Sequence, residues 1–195
     1  MILLDAGHGI NTPGKRSPVW PDGSQLFEWE YNRAIVNMIY ADLTLKGIEC
    51  KVLVQEAIDI SLKARVGRAN KIYEYDKSSV LISVHGNAGK KPNKGTGWEV
   101  WTSPNETESD KLATELFLSA KKHLPQFTMR SDYIDGDPDK ESEFYILTKT
   151  NCPAVLTENL FFSNEKDCRF MLSETGRYAI AKLHVEAILK YKKLL

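Results

Sequence analysis

The chain has 195 residues, 42% of them hydrophobic and 27% charged, enough to bury a substantial core in one domain spanning 1–195 without disulfide or metal staples. Lysine plus arginine equals aspartate plus glutamate at 26 each, so no long-range field draws the whole molecule to nucleic acid or anionic lipid. Three cysteines, Cys50, Cys152 and Cys168, form an odd set with no CxxC pair, which argues for reduced thiols and against a disulfide framework or thiolate zinc knuckle.

The first residues, MILLDAGHG, lack a basic segment followed by an apolar stretch, and no run of about 18 apolar residues follows anywhere. A leaderless chain made in the cytoplasm, with no membrane insertion, is the expectation. Ile2 to Asp5 reads as a strand. The Pro- and Gly-rich stretch Ile10 to Gln25 is too long for an ordinary connection and is a candidate functional loop. Phe27 to Lys46 has Tyr31, Ile35, Met38 and Ile39 at helical spacing and ends at Gly47, which can adopt the left-handed conformation that stops a helix. Ile48 to Val54 is a strand, Leu62 to Tyr75 a helix capped by Ser61, and Val80 to Val84 a strand.

Trp98 to Thr102 reads as a further strand and Thr107 to His123 as a third helix. Thr128 to Glu143, with six acidic residues and Arg130, is a second candidate functional loop. Ala154 to Thr157 reads as a buried strand, Asn164 as the cap of a short helix, and Glu174 to Lys193 as a closing helix. The alternation predicts an α/β fold: one domain with a mostly parallel central sheet flanked by helices, in a phosphorylase/hydrolase-like arrangement.

Polar residues at three expected strand ends carry the chemistry. His8 follows the first strand, His85 the Val80 to Val84 strand and Glu158 the Ala154 to Thr157 strand; in a parallel sheet such ends share the edge that binds ligands. Glu28, three residues before Tyr31 and seven before Ile35, extends the apolar stripe of the first helix, and a carboxylate there needs a cation, a cluster of donors or a metal. Two imidazoles and one carboxylate leave the fourth position of a tetrahedral Zn2+ open, and Glu158 beside it would accept the proton of a water. Taken one at a time, either histidine beside glycine is equally a turn residue, and either glutamate a solvated one. His123, at a helix end, and His184, on an apolar stripe, read as structural.

The motifs together resemble the zinc-dependent N-acetylmuramoyl-L-alanine amidases of type 3, almost end to end. Leu4-Asp5-Ala6-Gly7-His8-Gly9 resembles the first metal motif of that family, Glu28 with Asn32 the second, and Ser83-Val84-His85-Gly86-Asn87-Ala88 the third. Leu62, Arg65, Ala69 and Asn70 follow its second-helix pattern, and Gly97-Trp98-Glu99-Val100 is similar to its next strand. Pro153 to Glu158, followed by Phe161, Phe162, Ser163 and Asn164, resembles its closing motif. The resemblance implies that His8, Glu28 and His85 hold zinc, that Glu158 is the catalytic acid-base, and that the substrate is the amide joining muramic acid to L-alanine in peptidoglycan. The chain departs from the family pattern at Asn11 to Pro18, at Gln55-Glu56 and at Asn159-Leu160.

Asn87 reads equally as a turn former or as a donor to substrate. Arg130 resembles an arginine of relatives that could meet a peptide carboxylate, while pairing with Asp132, Asp135 or Asp137 is its simpler use. Two other functions share these residues: a zinc peptidase acting on another amide, and a wall-binding module without turnover. Peptidoglycan is the expected partner and a monomer the default state. A leaderless amidase domain also resembles a phage or prophage endolysin, which reaches the bacterial cell wall through a membrane pore.

Overall fold

The computed structural model describes residues 1–194. In chain order it consists of β1 (Ile2–Ala6), α1 (Glu28–Leu45), β2 (Cys50–Val52), α2 (Leu62–Tyr75), β3 (Val80–Asn87), β4 (Trp98–Thr102), α3 (Ser109–His123), β5 (Lys140–Glu141), α4 (Tyr145–Thr148), β6 (Ala154–Phe161), α5 (Glu165–Leu172) and α6 (Glu174–Leu194). The strands form one six-stranded sheet in the order β2-β1-β3-β6-β4-β5. β2, β1, β3 and β6 run parallel, and β4 lies antiparallel on β6 with β5 parallel to β4. The expected α/β fold with a mostly parallel sheet is the one observed.

Helices cover both faces, so the inner strands are apolar on both sides and read as continuous runs such as Ile2 to Leu4 and Val80 to Ile82. On one face Leu4, Ile82, Val84 and Val155 pack under Ile35 and Ile39 of α1, Leu112 and Leu116 of α3, and Ile180 and Ile188 of α6. On the other, Leu3, Leu81 and Leu156 meet Val66 and Ala69 of α2 and Ile146 and Leu147 of α4. Each such side chain contributes roughly 1.5–3 kcal/mol on burial, which makes this two-sided core the main source of stability.

The expected caps are present: Ser61 accepts from the Ala64 N–H, Asn164 from those of Lys166 and Asp167, and Gly47 ends α1 at φ 73°. Cys50, Cys152 and Cys168 are free thiols. Several strand boundaries differ from expectation, and β2 covers only Cys50–Val52 of the expected Ile48 to Val54. β1 stops at Ala6, two residues before His8, whereas β3 and β6 run past His85 and Glu158 to Asn87 and Phe161. Polar residues interrupt the apolar pattern at those points, but backbone pairing continues, because β3 and β6 pair with each other and β6 also pairs with β4. The acidic stretch after Thr128 supplies the short edge strand β5, which the sequence did not signal.

Asp5 is buried on β1, and Arg65 of α2, 2% exposed, answers it. Arg65 Nη1 donates to Asp5 Oδ1 at 2.7 Å and to the Ala6 carbonyl at 2.6 Å, while Ser83 Oγ donates to Asp5 Oδ2 at 2.6 Å. His184 is likewise buried, contacting the Ile180 carbonyl through Nδ1 at 2.7 Å and Thr157 Oγ1 through Nε2 at 3.0 Å. The carbonyl can only accept, so Nδ1 carries the proton and Nε2 accepts from Thr157. His184 is therefore structural, as its place on an apolar stripe suggested.

Arg65→Ala leaves Asp5 as an uncompensated buried charge and is expected to lower the unfolding free energy by about 3–5 kcal/mol, measurable by urea titration. Burial holds the His184 imidazole down at about 4, against an ordinary 6.5. The unfolded chain takes up that proton first as the pH falls, so the stability is full above the unfolded value and is lost as the pH drops through the folded one. Between pH 7 and pH 5 the native protein is expected to lose about 2 kcal/mol more than His184→Gln does, read from urea titrations at both pH values.

Candidate active site

The site forms where the loop after β1, the first turn of α1 and the far ends of β3 and β6 meet. The chain leaves β1 with the Gly7 N–H still bonded to the Val84 carbonyl at 3.0 Å. It then turns at His8, which adopts a left-handed φ of 61°, unusual for a residue with a Cβ. Two guanidinium groups fix this turn: Arg33 Nη1 and Arg65 Nη2 donate to the His8 carbonyl at 2.9 and 3.3 Å. The flanking glycines are steric requirements. A Cβ on Gly7 would lie 2.2 Å from His85 Cε1, and one on Gly9 2.0 Å from the Asp59 backbone nitrogen.

Glu28 opens α1 and is 0% exposed. Its N–H donates to the Lys15 carbonyl at 3.0 Å, which ties the helix start to the 10–25 loop. Oε1 lies 3.4 Å from His8 Nε2 and 3.3 Å from His85 Nδ1, and accepts from the Gly86 N–H at 3.2 Å. Oε2 is buried and has no hydrogen-bond partner, with Lys15 Nζ 3.8 Å away. The donor atoms of His8, Glu28 and His85 all lie within 4.8 Å of one another, and the two imidazoles meet edge to face with centroids 5.0 Å apart. Three groups that the sequence separates by 77 positions thus converge as a set able to hold a metal ion.

The charges follow the geometry. Burial lowers the His8 imidazole to about 4, helped by His85 and Lys15 and opposed by Glu28. Burial alone would raise the Glu28 carboxyl, yet His85, His8 and Lys15 outweigh it and hold it below its ordinary range. Burial would also lower His85, but the bond to Glu28 prevails and its pKa rises.

Glu158 stands directly opposite His85 in the parallel β3–β6 register and opposite Glu99 in the antiparallel β6–β4 register. Residues opposite one another in register project from the same face, so His85, Glu158 and Glu99 form one row across three strands. Glu158 Oε2 is buried without a partner. Burial pushes its carboxyl up to about 8, with Glu28 and Glu99 adding to the rise and His85 and Lys15 opposing it. Just beyond this row two residues of β6, Asn159 and Leu160, occupy the interval that Gly86 spans on β3, and Leu160 takes φ 68°. This bulge explains the Asn159-Leu160 departure: Asn159 turns inward, donating to the His85 carbonyl at 3.0 Å and accepting from Trp98 Nε1 at 2.8 Å.

Glu99 is the residue that sequence reasoning missed. It is buried and accepts from Asn87 Nδ2 at 2.7 Å, Arg130 Nε at 2.6 Å and Lys140 Nζ at 2.9 Å. Its signal is an acidic residue between Trp98 and Val100 in a strand, legible only once the register with Glu158 is known. Arg130 is thus partnered by Glu99 rather than by an aspartate of its own loop, because its N–H bonds to the Trp98 carbonyl at 2.9 Å and holds it alongside β4. Asn87 lies in β3 and uses its side chain both ways, its Oδ1 also accepting from the Ala88 N–H at 2.8 Å.

Because Gly7 leaves no room beside the His85 ring, Gly7→Ala is expected to displace that imidazole and weaken metal retention by about 10–100-fold. Metal content after dialysis against graded chelator, with circular dichroism as the check on folding, measures this.

Known proteins carry the same architecture. The crystal structure of an N-acetylmuramoyl-L-alanine amidase from Clostridium difficile 630 superposes with a TM-score of 0.85 at 28% identity, covering 98% of this chain and 96% of that one. The uncharacterized protein YqiI of Bacillus subtilis strain 168 is 26% identical over 97% of this chain and 84% of its own length. An endolysin of Bacillus phage SPP1 is also 26% identical, over 96% of this chain and 64% of the phage protein. Residues 2–190 match the sequence model of the N-acetylmuramoyl-L-alanine amidases, and with nearly its whole length so matched the chain belongs to that family.

Proposed function

We propose that the chain hydrolyses the amide between N-acetylmuramic acid and L-alanine in peptidoglycan, with zinc held by His8, Glu28 and His85 and with Glu158 as the acid-base residue. The observation that carries this is a fully buried Glu28 whose Oε1 meets two imidazoles while its Oε2 has no hydrogen-bond partner. Zinc bonds of about 2.0–2.2 Å place tetrahedral ligand atoms about 3.3–3.6 Å apart. His8 Nε2 and His85 Nδ1 lie 3.4 and 3.3 Å from Glu28 Oε1, which fits that spacing. An unprotonated His8 keeps its lone pair available as a ligand.

When bound, zinc supplies Lewis acidity, polarising the scissile carbonyl and lowering the pKa of water toward about 7. Glu158 takes the proton of the attacking water and returns it to the departing amine nitrogen of alanine. Burial raises this carboxyl well above the ordinary carboxylate range, which favours its holding the proton that it must pass on to the amine. Asn87 and Arg130, gathered on Glu99 beside Glu158, are the groups we assign to substrate binding. A cleft of about 220 Å³ between the start of the 10–25 loop and the N-terminus of α1, with Lys15, Arg16, Phe27 and Trp29 in its wall, offers a path for glycan or stem peptide. Among the described residues no helix is long and apolar enough to cross a membrane. Likeness to a phage endolysin supports a role at the bacterial cell wall.

Purified peptidoglycan treated with the enzyme is expected to release new N-terminal alanine and no new reducing sugar ends. Glu158→Gln is expected to retain metal while losing at least about 100-fold in turnover, the scale of a lost general acid-base. New reducing ends, cleavage inside the stem peptide, binding without product, or full activity in Glu158→Gln would each overturn the proposal.

A further inference from the structure

A second set of carboxylates lies away from the active site, where the acidic loop closes over the end of β4. Asp110 in the first turn of α3, Asp137 and Asp139 bring one oxygen each to within 4.8 Å of one another. Asp139 is 2% exposed. Its Oδ2 accepts from Thr102 Oγ1 at 2.5 Å, while Oδ1 is buried and has no hydrogen-bond partner. The Asp139 N–H donates to Asp137 Oδ1 at 3.3 Å, and both oxygens of Asp110 accept from Thr107. Among the described residues no lysine, arginine or histidine pairs with any of the three. Beside them a cavity of about 280 Å³ is walled by Asp132, Ile134, Asp135, Asp139 and Glu141.

Like charges at this separation, one of them out of water, do not persist unanswered. Burial, reinforced by Asp137 and Asp110, pushes the Asp139 carboxyl up to about 8, and Asp110 rises as well. Either a proton or a cation must hold the three together. We propose that Asp110, Asp137 and Asp139 bind a hard divalent cation, calcium, as a structural site that fastens the 132–143 loop to β4 and to the start of α3. The donors are all oxygen, which disfavours zinc and favours an ion content with carboxylates, hydroxyls and water from the open side. The orphaned Asp139 oxygen is the group such an ion would satisfy. Lys140, next in the chain, reaches Glu99, so the ion would also fix the wall of the active site that Arg130 and Lys140 form.

Calcium chloride titrated calorimetrically into the zinc-loaded full chain tests this. One calcium per chain is expected, with Kd on the order of 10⁻⁴ M for a three-carboxylate site, together with a rise in melting temperature that chelation reverses. Asp137→Asn, at a partly exposed position that leaves the buried Asp139 in place, is expected to weaken binding about tenfold or more. Asp110→Asn should do the same, while Glu28→Gln, in the other cluster, should leave calcium affinity unchanged. No calcium uptake by the folded wild type would overturn the proposal and assign the cluster to a shared proton. Equal affinity in wild type, Asp137→Asn and Asp110→Asn would overturn it too, as would loss of calcium binding in Glu28→Gln.

Discussion

The burial of one carboxylate governs the site. Glu28 is fully enclosed at the start of α1, and an isolated ionised carboxylate in such surroundings carries a desolvation penalty of several kcal/mol. Helical geometry gives it no escape to solvent, since its position continues the stripe on which Tyr31, Ile35 and Ile39 pack into the core. The structure answers with two imidazoles and the Gly86 N–H on Oε1, and leaves Oε2 without a hydrogen bond, the Lys15 ammonium standing 3.8 Å from it. The divalent cation proposed for this site would complete that balance. Its binding would be coupled to folding, because the ligand set exists only when α1, the loop after β1 and β3 are assembled.

Keeping two histidines on that carboxylate demands rigid support, and the support comes from backbone contacts rather than from packing alone. His8 sits in a conformation that glycine would prefer, held by Arg33 and Arg65 on its carbonyl and by two neighbours without side chains. Arg65 serves twice, since it also neutralises Asp5 inside the sheet. A change at α2 therefore reaches the active site through one guanidinium. On the other side the bulge at Asn159-Leu160 turns Asn159 under His85 and Trp98. Strain of this kind, a left-handed Leu160 buried in a strand, is retained where a site requires it.

The row His85, Glu158, Glu99 shows how a sheet can set charges against one another. Register places the two carboxylates on one face, and each raises the cost of ionising the other. Arg130 and Lys140 neutralise Glu99, and burial together with those two cations and the opposing carboxylates settles which group stays charged. Glu99 ends below its ordinary range and Glu158 above it. Two glutamates in neighbouring strands are thereby shifted in opposite directions, and the anionic Glu99 organises Asn87, Arg130 and Lys140.

Local pattern by itself determined the elements: the apolar periodicity of Phe27 to Lys46 and Leu62 to Tyr75, the caps at Ser61 and Asn164, and the stop at Gly47 are near-neighbour effects that the chain carries in any context. The conjunction of His8, Glu28, His85 and Glu158 at expected strand ends and on an apolar stripe, together with the family motifs they sit in, also marked them out, whereas each alone read as readily as a turn or surface residue. Tertiary structure decided what depends on pairing between distant strands. The register that sets Glu99 opposite Glu158, the bulge at Leu160, the capture of Arg130 by Glu99 in preference to nearby aspartates, and the edge strand at Lys140 are all fixed by backbone hydrogen bonds across tens of residues. A period-two pattern says which residues share a face of a strand, but not which strand lies beside it or at what offset.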